Sequence, residues 1–260
     1  LTQPRSSAFL VALALCAFGA FAGFMALGIW QIERRVWKLD LIARVERRVH
    51  AAPVAPPTAD QWPTVNAADD AYRRVRASGT FLHDRETLVQ ATTELGAGYW
   101  VLTPLRISNG SIVLVNRGFA PPEARDRAAR RGSESEGETV VTGLLRISEP
   151  GGSFLRHNDP VADRWYSRDV QAIATARGLT GVAPYFVDAE GTSNRPQAPN
   201  PDVKHSWPVG GLTVISFPNN HLVYAFTWFT LALMVAAAAG YVARDERRQR
   251  QARIAKQKRA

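Results

Sequence analysis

Two long uncharged runs bracket the chain, and between them apolar residues come in short bursts separated by polar punctuation. Ala8 to Trp30 (AFLVALALCAFGAFAGFMALGIW) holds 23 residues without a charge, and Leu222 to Ala243 holds 22. Each is long enough to cross a bilayer as one helix. The first is longer than the apolar core of a secretory signal and leads into a charged helical stretch, so it reads as an anchor. In Gln31 to His50 the apolar positions Ile32, Val36, Leu39, Ile42 or Ala43, and Val45 or Val49 recur at helical spacing, with Arg and Lys opposite. That helix either extends the first span or lies along the membrane surface. Ala51 to Pro63 is proline-rich and breaks it as a linker.

The middle of the chain has strand-like bursts: Val75–Phe81, Thr87–Ala91, Tyr99–Arg106, Ser111–Asn116, Thr139–Ile147 and Tyr185–Asp188. Leu212–Phe217 would return a last strand toward the second span. Asn109-Gly110 marks a hairpin turn. Pro121–Gly137 is charged and irregular, as a surface excursion would be, and Gly191–Gly211 is a long polar loop. Ser167–Arg177 predicts a short helix capped by Ser167 and ended by Gly178. There is no βαβ alternation, so the expected fold is an α+β membrane protein. Two transmembrane helices flank an antiparallel, β-rich domain, and the pattern leaves open whether its sheet closes into a barrel.

Charge changes the picture by its location. The net charge is +9, but residues 244–260 hold eight Lys/Arg against Asp245 and Glu246, while residues 6–243 are nearly balanced. A basic tail directly after a span is an orientation signal and an anionic-lipid contact, which argues against nucleic-acid binding. The tail and Arg5 outweigh the six basic residues Arg34, Arg35, Lys38, Arg44, Arg47 and Arg48, so both termini are expected in the cytoplasm. The expected organisation is a cytoplasmic N-terminus (1–7), a first transmembrane helix (8–30) and a juxtamembrane amphipathic helix (31–50). A periplasmic β-rich domain (51–218), a second transmembrane helix (219–243) and a basic cytoplasmic tail (244–260) follow. No Arg-rich amphipathic transit peptide precedes the first span. That favours a multi-pass protein of a bacterial inner membrane and leaves a processed organellar protein open.

Candidate chemistry is sparse. Cys16 is the only cysteine, so there is no C-x-x-C pair and no thiolate cluster. Nucleophile elbows, zinc-protease motifs and phosphate-binding glycine loops are missing, so no enzymatic activity is expected. His157-Asn158-Asp159-Pro160 reads as a turn, and His50, His83 and His205 read as solvated. Arg117 reads as the partner of a carboxylate, and Trp165-Tyr166 as packing on the sheet. The second span is different. His221 stands one residue before its uncharged run, and His221, Tyr224 and Trp228 share a helical face. Asn219 or Asn220 is placed to cap the first turn. A porphyrin needs an axial ligand, an apolar slot with aromatic walls, and cations for its propionates. His221, Tyr224, Trp228 and Trp30, with Arg34, Arg35 or Lys38, could supply these. The same aromatic residues also suit a headgroup belt, and the same cations suit interfacial anchors.

The stretches LGIWQIERRVWKLDLI (Leu27–Ile42), GYWVLTPL (Gly98–Leu105), VLVNRGF (Val113–Phe119) and NNHLVYAFTW (Asn219–Trp228) resemble the SURF1-like cytochrome c oxidase assembly factors. Trp165–Asp169, Tyr185–Asp188 and Gly210–Thr213 add weaker similarity in the same order. The resemblance implies a two-span protein with a periplasmic domain that assists assembly of aa3-type haem-copper oxidases. It also implies transient binding of haem a, received from haem A synthase and passed to the oxidase catalytic subunit, with His221 as the haem-linked histidine. The alternative is a cofactor-free membrane scaffold that stabilises an oxidase assembly intermediate.

Overall fold

A computed structural model describes residues 6–153, 155–191, 207–212, 217 and 219–257. The chain forms two compact units, residues 1–43 with 216–260, and residues 44–215. Helix α1 (Ser7–Val49) is one unbroken helix, so the sequence segments 8–30 and 31–50 are continuous. Its last turn belongs to the second unit. There Val45 is buried, and Arg48 donates to the carbonyls of Ala68 (2.7 Å) and Ala71 (3.2 Å). A cation in this position also suits the negative end of the helix dipole.

The second unit is built on β1 (Arg74–Phe81), β2 (Thr87–Thr93), β3 (Gly96–Ile107), β4 (Ile112–Ala120) and β5 (Glu138–Ile147). A two-residue ribbon, β6 (Gly152–Ser153) with β7 (Arg156–His157), follows, then helix α2 (Val170–Ala176) and β8 (Val182–Ala189). The order β1–β5–β8–β4–β3 closes where β3 returns to β1, giving a five-stranded barrel with β2 attached outside along β3. Every pairing in this sheet is antiparallel except β4 with β8, which is parallel.

Alternation explains which side chains fill the barrel. Val75 and Ala77, Val113 and Val115, Val141 and Leu145, and Ala183, Tyr185 and Val187 form one buried cluster. On the opposite pleat, Leu102, Leu114 and Phe186 lie under Val170 and Ile173 of α2 and under Trp165. β4 is therefore buried on both faces, and IVLV reads as a continuous apolar run rather than an alternating one. Closure depends on Gly79. A Cβ there would sit 2.3 Å from the Arg106 carbonyl oxygen, so only glycine lets β1 pass β3 at that distance.

Several local expectations hold and several change. Asn109-Gly110 makes the turn, with Gly110 at φ +86° and the Ser111 N–H bonded to Asn109 Oδ1 at 3.0 Å. The α2 cap is Asp169, whose side chain accepts from the Ala172 N–H at 3.1 Å; Ser167 instead donates to the Glu149 carbonyl at 2.7 Å. Segment 121–137 is more than a surface excursion. Arg130 is fully buried there and donates to the carbonyls of Ala124 and Arg125 and to Glu86. Among the described residues Arg117 has no ion-pair partner; it bonds the Ser133 carbonyl and hydroxyl, and burial pushes its guanidinium below the usual range. His83 is only partly solvated: its Nδ1 is buried, and its Nε2 lies 3.3 Å from the Ser135 carbonyl oxygen. The linker is docked: Val54 bridges Val75, and the Pro57 carbonyl accepts from Trp62 Nε1 and the buried Tyr185 hydroxyl. The proposed strand Leu212–Phe217 lies mostly outside the described residues, as does most of the loop 191–211. The chain does pair with β4 earlier, at Val209 opposite Phe119.

Helix α3 (His221–Gln257) continues the second apolar run into the basic segment, so the tail is helical as far as it is described. Both α1 and α3 are long and apolar enough to cross a membrane.

Where β4, β5 and β8 meet, one buried carboxylate organises the polar groups. Asp188 accepts from Asn116 Nδ2 (2.8 Å), Arg146 (3.0 Å) and Arg168 (3.3 Å), and Arg168 also pairs with Glu149 at 2.6 Å. Burial opposes the charge on Arg168, but Glu149 and Asp188 outweigh it and raise its pKa. Asp188→Leu should leave two guanidiniums without their shared partner and cost about 3–5 kcal/mol. Denaturant unfolding followed by the sheet's circular dichroism measures this. Replacing Arg146 and Arg168 by Met in the same background should recover much of the loss. A second, more exposed pair responds to pH. Arg127 donates to Glu134 at 2.7 and 2.9 Å and holds its carboxyl below the ordinary carboxylate range. Its contribution is therefore complete above about pH 4.3 and is lost as pH falls toward the depressed folded value. Glu134→Gln should flatten that part of the stability-versus-pH curve.

Candidate functional site

The site is built within the first unit, where α1 and α3 pack along matching stripes. On α1 the stripe is Phe24, Gly28 and Gln31; on α3 it is His221, Ala225, Trp228 and Ala232. The spacing is i, i+4, i+7 on both, continued to i+11 on α3, one helical face. Ala225 and Ala232 are each 1% exposed, so small side chains bring the backbones together. Gly28 is buried against the Phe229 ring, and a Cβ on it would come within 2.4 Å of Phe229 Cε1. Phe24 and Trp228 stack with centroids 5.7 Å apart and planes 24° from parallel.

This stripe carries one polar contact between the helices among the described residues. His221 Nδ1 lies 2.7 Å from Gln31 Oε1, joining residues 190 apart in sequence, and Gln31 is only 9% exposed. His221 is the first residue of α3, and the Asn220 carbonyl accepts from the Tyr224 N–H at 3.2 Å to start the helix. Asn219 does not act as the side-chain cap: its Oδ1 is buried and has no hydrogen-bond partner.

The other residues singled out from the sequence are distributed differently. Trp228 packs in the stripe with His221, whereas Tyr224 lies beside it and is 54% exposed. Trp30 is 52% exposed, and Arg34 is exposed with its guanidinium 3.8 Å above the ring of its own helix neighbour Trp37. Lys38 reaches the Phe217 ring at 5.6 Å. The helix pair thus brings His221, Trp228 and Gln31 together, and leaves Tyr224, Trp30 and Arg34 on its outside. Phe24, Gly28 and the partnership of Gln31 escaped sequence reasoning. The available signal was the repeat of Phe24, Gly28 and Gln31 along one face, ending in a polar residue.

Chemically, the arrangement offers one histidine held from behind. Among the described residues no three His, Cys, Asp or Glu side chains gather as a metal-ion site. A bare transition-metal ion wants three or four protein donors. A porphyrin supplies four nitrogens of its own and asks the protein for one axial ligand. The donor set fits a porphyrin better than a free ion.

Comparison with known proteins decides the family. The model of the SURF1 family matches residues 18–233, a span that includes both helix stripes and the barrel. The chain belongs to the SURF1 family. It is 34% identical over 235 residues to Surfeit locus protein 1 of Homo sapiens, covering 83% of this chain and 71% of that protein. The Mus musculus protein of the same name is 33% identical over 250 residues, 90% of this chain and 73% of the relative. A SURF1-like protein of Monosiga brevicollis is 34% identical over 226 residues, 81% and 80% respectively.

The packing of the stripe is testable by size. Gly28→Leu should lower the thermal midpoint of the detergent-solubilised protein, because the new side chain must displace Phe229. Gly19→Leu should leave the midpoint nearly unchanged, since nothing lies within 4 Å of a Cβ at Gly19.

Proposed function

We propose that this SURF1-family chain assists assembly of an aa3-type cytochrome c oxidase by holding haem a at the outer face of the membrane. It would receive haem from haem A synthase and help its insertion into the oxidase catalytic subunit. Both termini would lie in the cytoplasm of a bacterial cell and the barrel in the periplasm. The two apolar helices and the basic end of α3 support that placement.

The observation that carries the reading is the part-buried hydrogen bond from His221 to Gln31, whose own side chain lies in the buried stripe. A histidine serving only as a hydrated interfacial residue has no use for a buried partner on a neighbouring helix. A histidine that ligates a metal characteristically has its other ring nitrogen tied in this way. When bound, the haem supplies a Lewis-acidic iron, and His221 would be its axial ligand. Trp228, Tyr224 and Trp30 would offer aromatic contact, and Arg34 a cation for a propionate. The role is binding and release rather than turnover.

The test is an absorption spectrum of the protein purified from cells that co-express haem A synthase, beside the His221→Ala variant. A haem a spectrum in the parent, lost by at least about tenfold in the variant, is the expected result. Equal haem in both would remove His221 as the ligand. No haem in either, with oxidase assembly still dependent on the protein, would leave the cofactor-free scaffold as the role.

A further inference from the structure

We propose that Gln31 selects the tautomer of His221 and, being a neutral acceptor, keeps it a ligand of moderate strength from which haem can be released. The inference rests on the reading of His221 as an axial ligand and deepens it, since it concerns the control of that same site.

The argument begins with the amide. Gln31 presents its Oε1 to His221 Nδ1 at 2.7 Å, and an amide oxygen can only accept. The hydrogen therefore resides on Nδ1, which leaves the Nε2 lone pair bare. No described residue partners Nε2, so the nitrogen free to bind iron is the one the bond leaves deprotonated. The position of Gln31 makes this more than a passing contact. The residue is 9% exposed, and it occupies the same face of α1 as Phe24 and Gly28, which are packed by Trp228 and Phe229. A buried amide in apolar surroundings is costly unless bonded, so its orientation and that of the imidazole are mutually fixed.

The chemical nature of the acceptor sets the strength of the ligand. Histidines at resident metal sites commonly donate to a carboxylate, whose full negative charge pulls the Nδ1 proton and makes Nε2 more basic. Gln31 provides orientation without that charge. The nearest acidic residue along α1 is Glu33, two positions on and therefore on a different face of the helix, and Asp40 lies more than two turns away. A neutral partner suits cargo that must be held in one geometry and then given up.

Two measurements separate this inference from the reading beneath it. The first needs no haem. Nitrogen-15 NMR of the histidine-labelled full-length protein should show His221 as the Nδ1–H tautomer, and Gln31→Leu should return it to a mixture of tautomers. A parent that already shows mixed tautomers or Nε2–H would overturn the proposal regardless of what His221 binds. The second uses protein loaded with haem a by co-expression. Gln31→Leu should weaken haem retention about 10- to 100-fold. Gln31→Glu should restore or tighten retention, lower the reduction potential of the bound haem, and slow transfer of haem to apo-myoglobin as a generic acceptor. If His221→Ala abolishes haem binding while Gln31→Leu and Gln31→Glu leave retention, potential and transfer rate at parental values, the ligand stands and the role of Gln31 falls. If His221→Ala retains full haem, the reading beneath it falls instead.

Discussion

A polar side chain buried between two apolar helices must find its hydrogen bond on the other helix. Leaving the group unpaired costs several kcal/mol. The bond between Gln31 and His221 satisfies that constraint, and the residues around it follow from it. The amide and the imidazole meet only if the backbones run close, which is what Gly28, Ala225 and Ala232 allow. Rotation about the helix axes is then fixed by Phe24 stacked on Trp228 and by Phe229 filling the space at Gly28. One directional bond with a close-packed stripe beside it sets register as well as proximity. Apolar packing alone does this poorly in a medium as apolar as the helices themselves.

The barrel answers a different constraint, the open edges of a sheet. β3 is long enough to serve two neighbours: its first half pairs with β2, and its end returns to β1 through Leu105, Arg106 and Ile107. Its other edge is filled by β4, which pairs in turn with β8, a parallel pairing between two described strands. Asn116 and Asp188 face each other in that parallel register, which is why the carboxylate can collect Arg146 and Arg168 at a single point. The segments VLVNRGF and YFVD thus carry both strand cores and the buried polar network that ties them.

The spans, most strands and the Asn109-Gly110 turn were legible because each depends on local pattern: uncharged length, alternation, or a residue suited to positive φ. Closure was not legible, because it turns on one missing Cβ at Gly79 meeting a carbonyl 27 residues away. The parallel pairing was hidden because the chain from β4 to β8 first passes through β5 and the β6–β7 ribbon, and α2, the one α-helix described along it, is seven residues long, too short to mark a βαβ unit. Ser167 and Asp169 are both good cap residues two positions apart. The helix starts at Val170, which makes Asp169 the cap position, while the Ser167 hydroxyl donates to the Glu149 carbonyl and accepts from Asn158 Nδ2. At the site, His221 stood out as a lone metal-binding group at the start of a span. Gln31 was visible only as the end of the other span, since no local periodicity reports a contact across 190 residues.

That difference bears on which residues support the proposed haem site. An aromatic belt accounts for Trp30 and Tyr224 without any ligand, because rings exposed on the outside of a helix pair sit comfortably at a headgroup boundary. Arg34, lying over Trp37 of its own helix, is equally well explained as an interfacial anchor. Neither explanation reaches His221. A boundary histidine needs no buried acceptor, and a glutamine retained in an apolar stripe does more than a leucine would: its hydrogen bond fixes the helix register and aims the imidazole. The weight of the functional reading therefore falls on the pair His221 and Gln31, and the aromatic and cationic residues gain a role only through a ligand seated there.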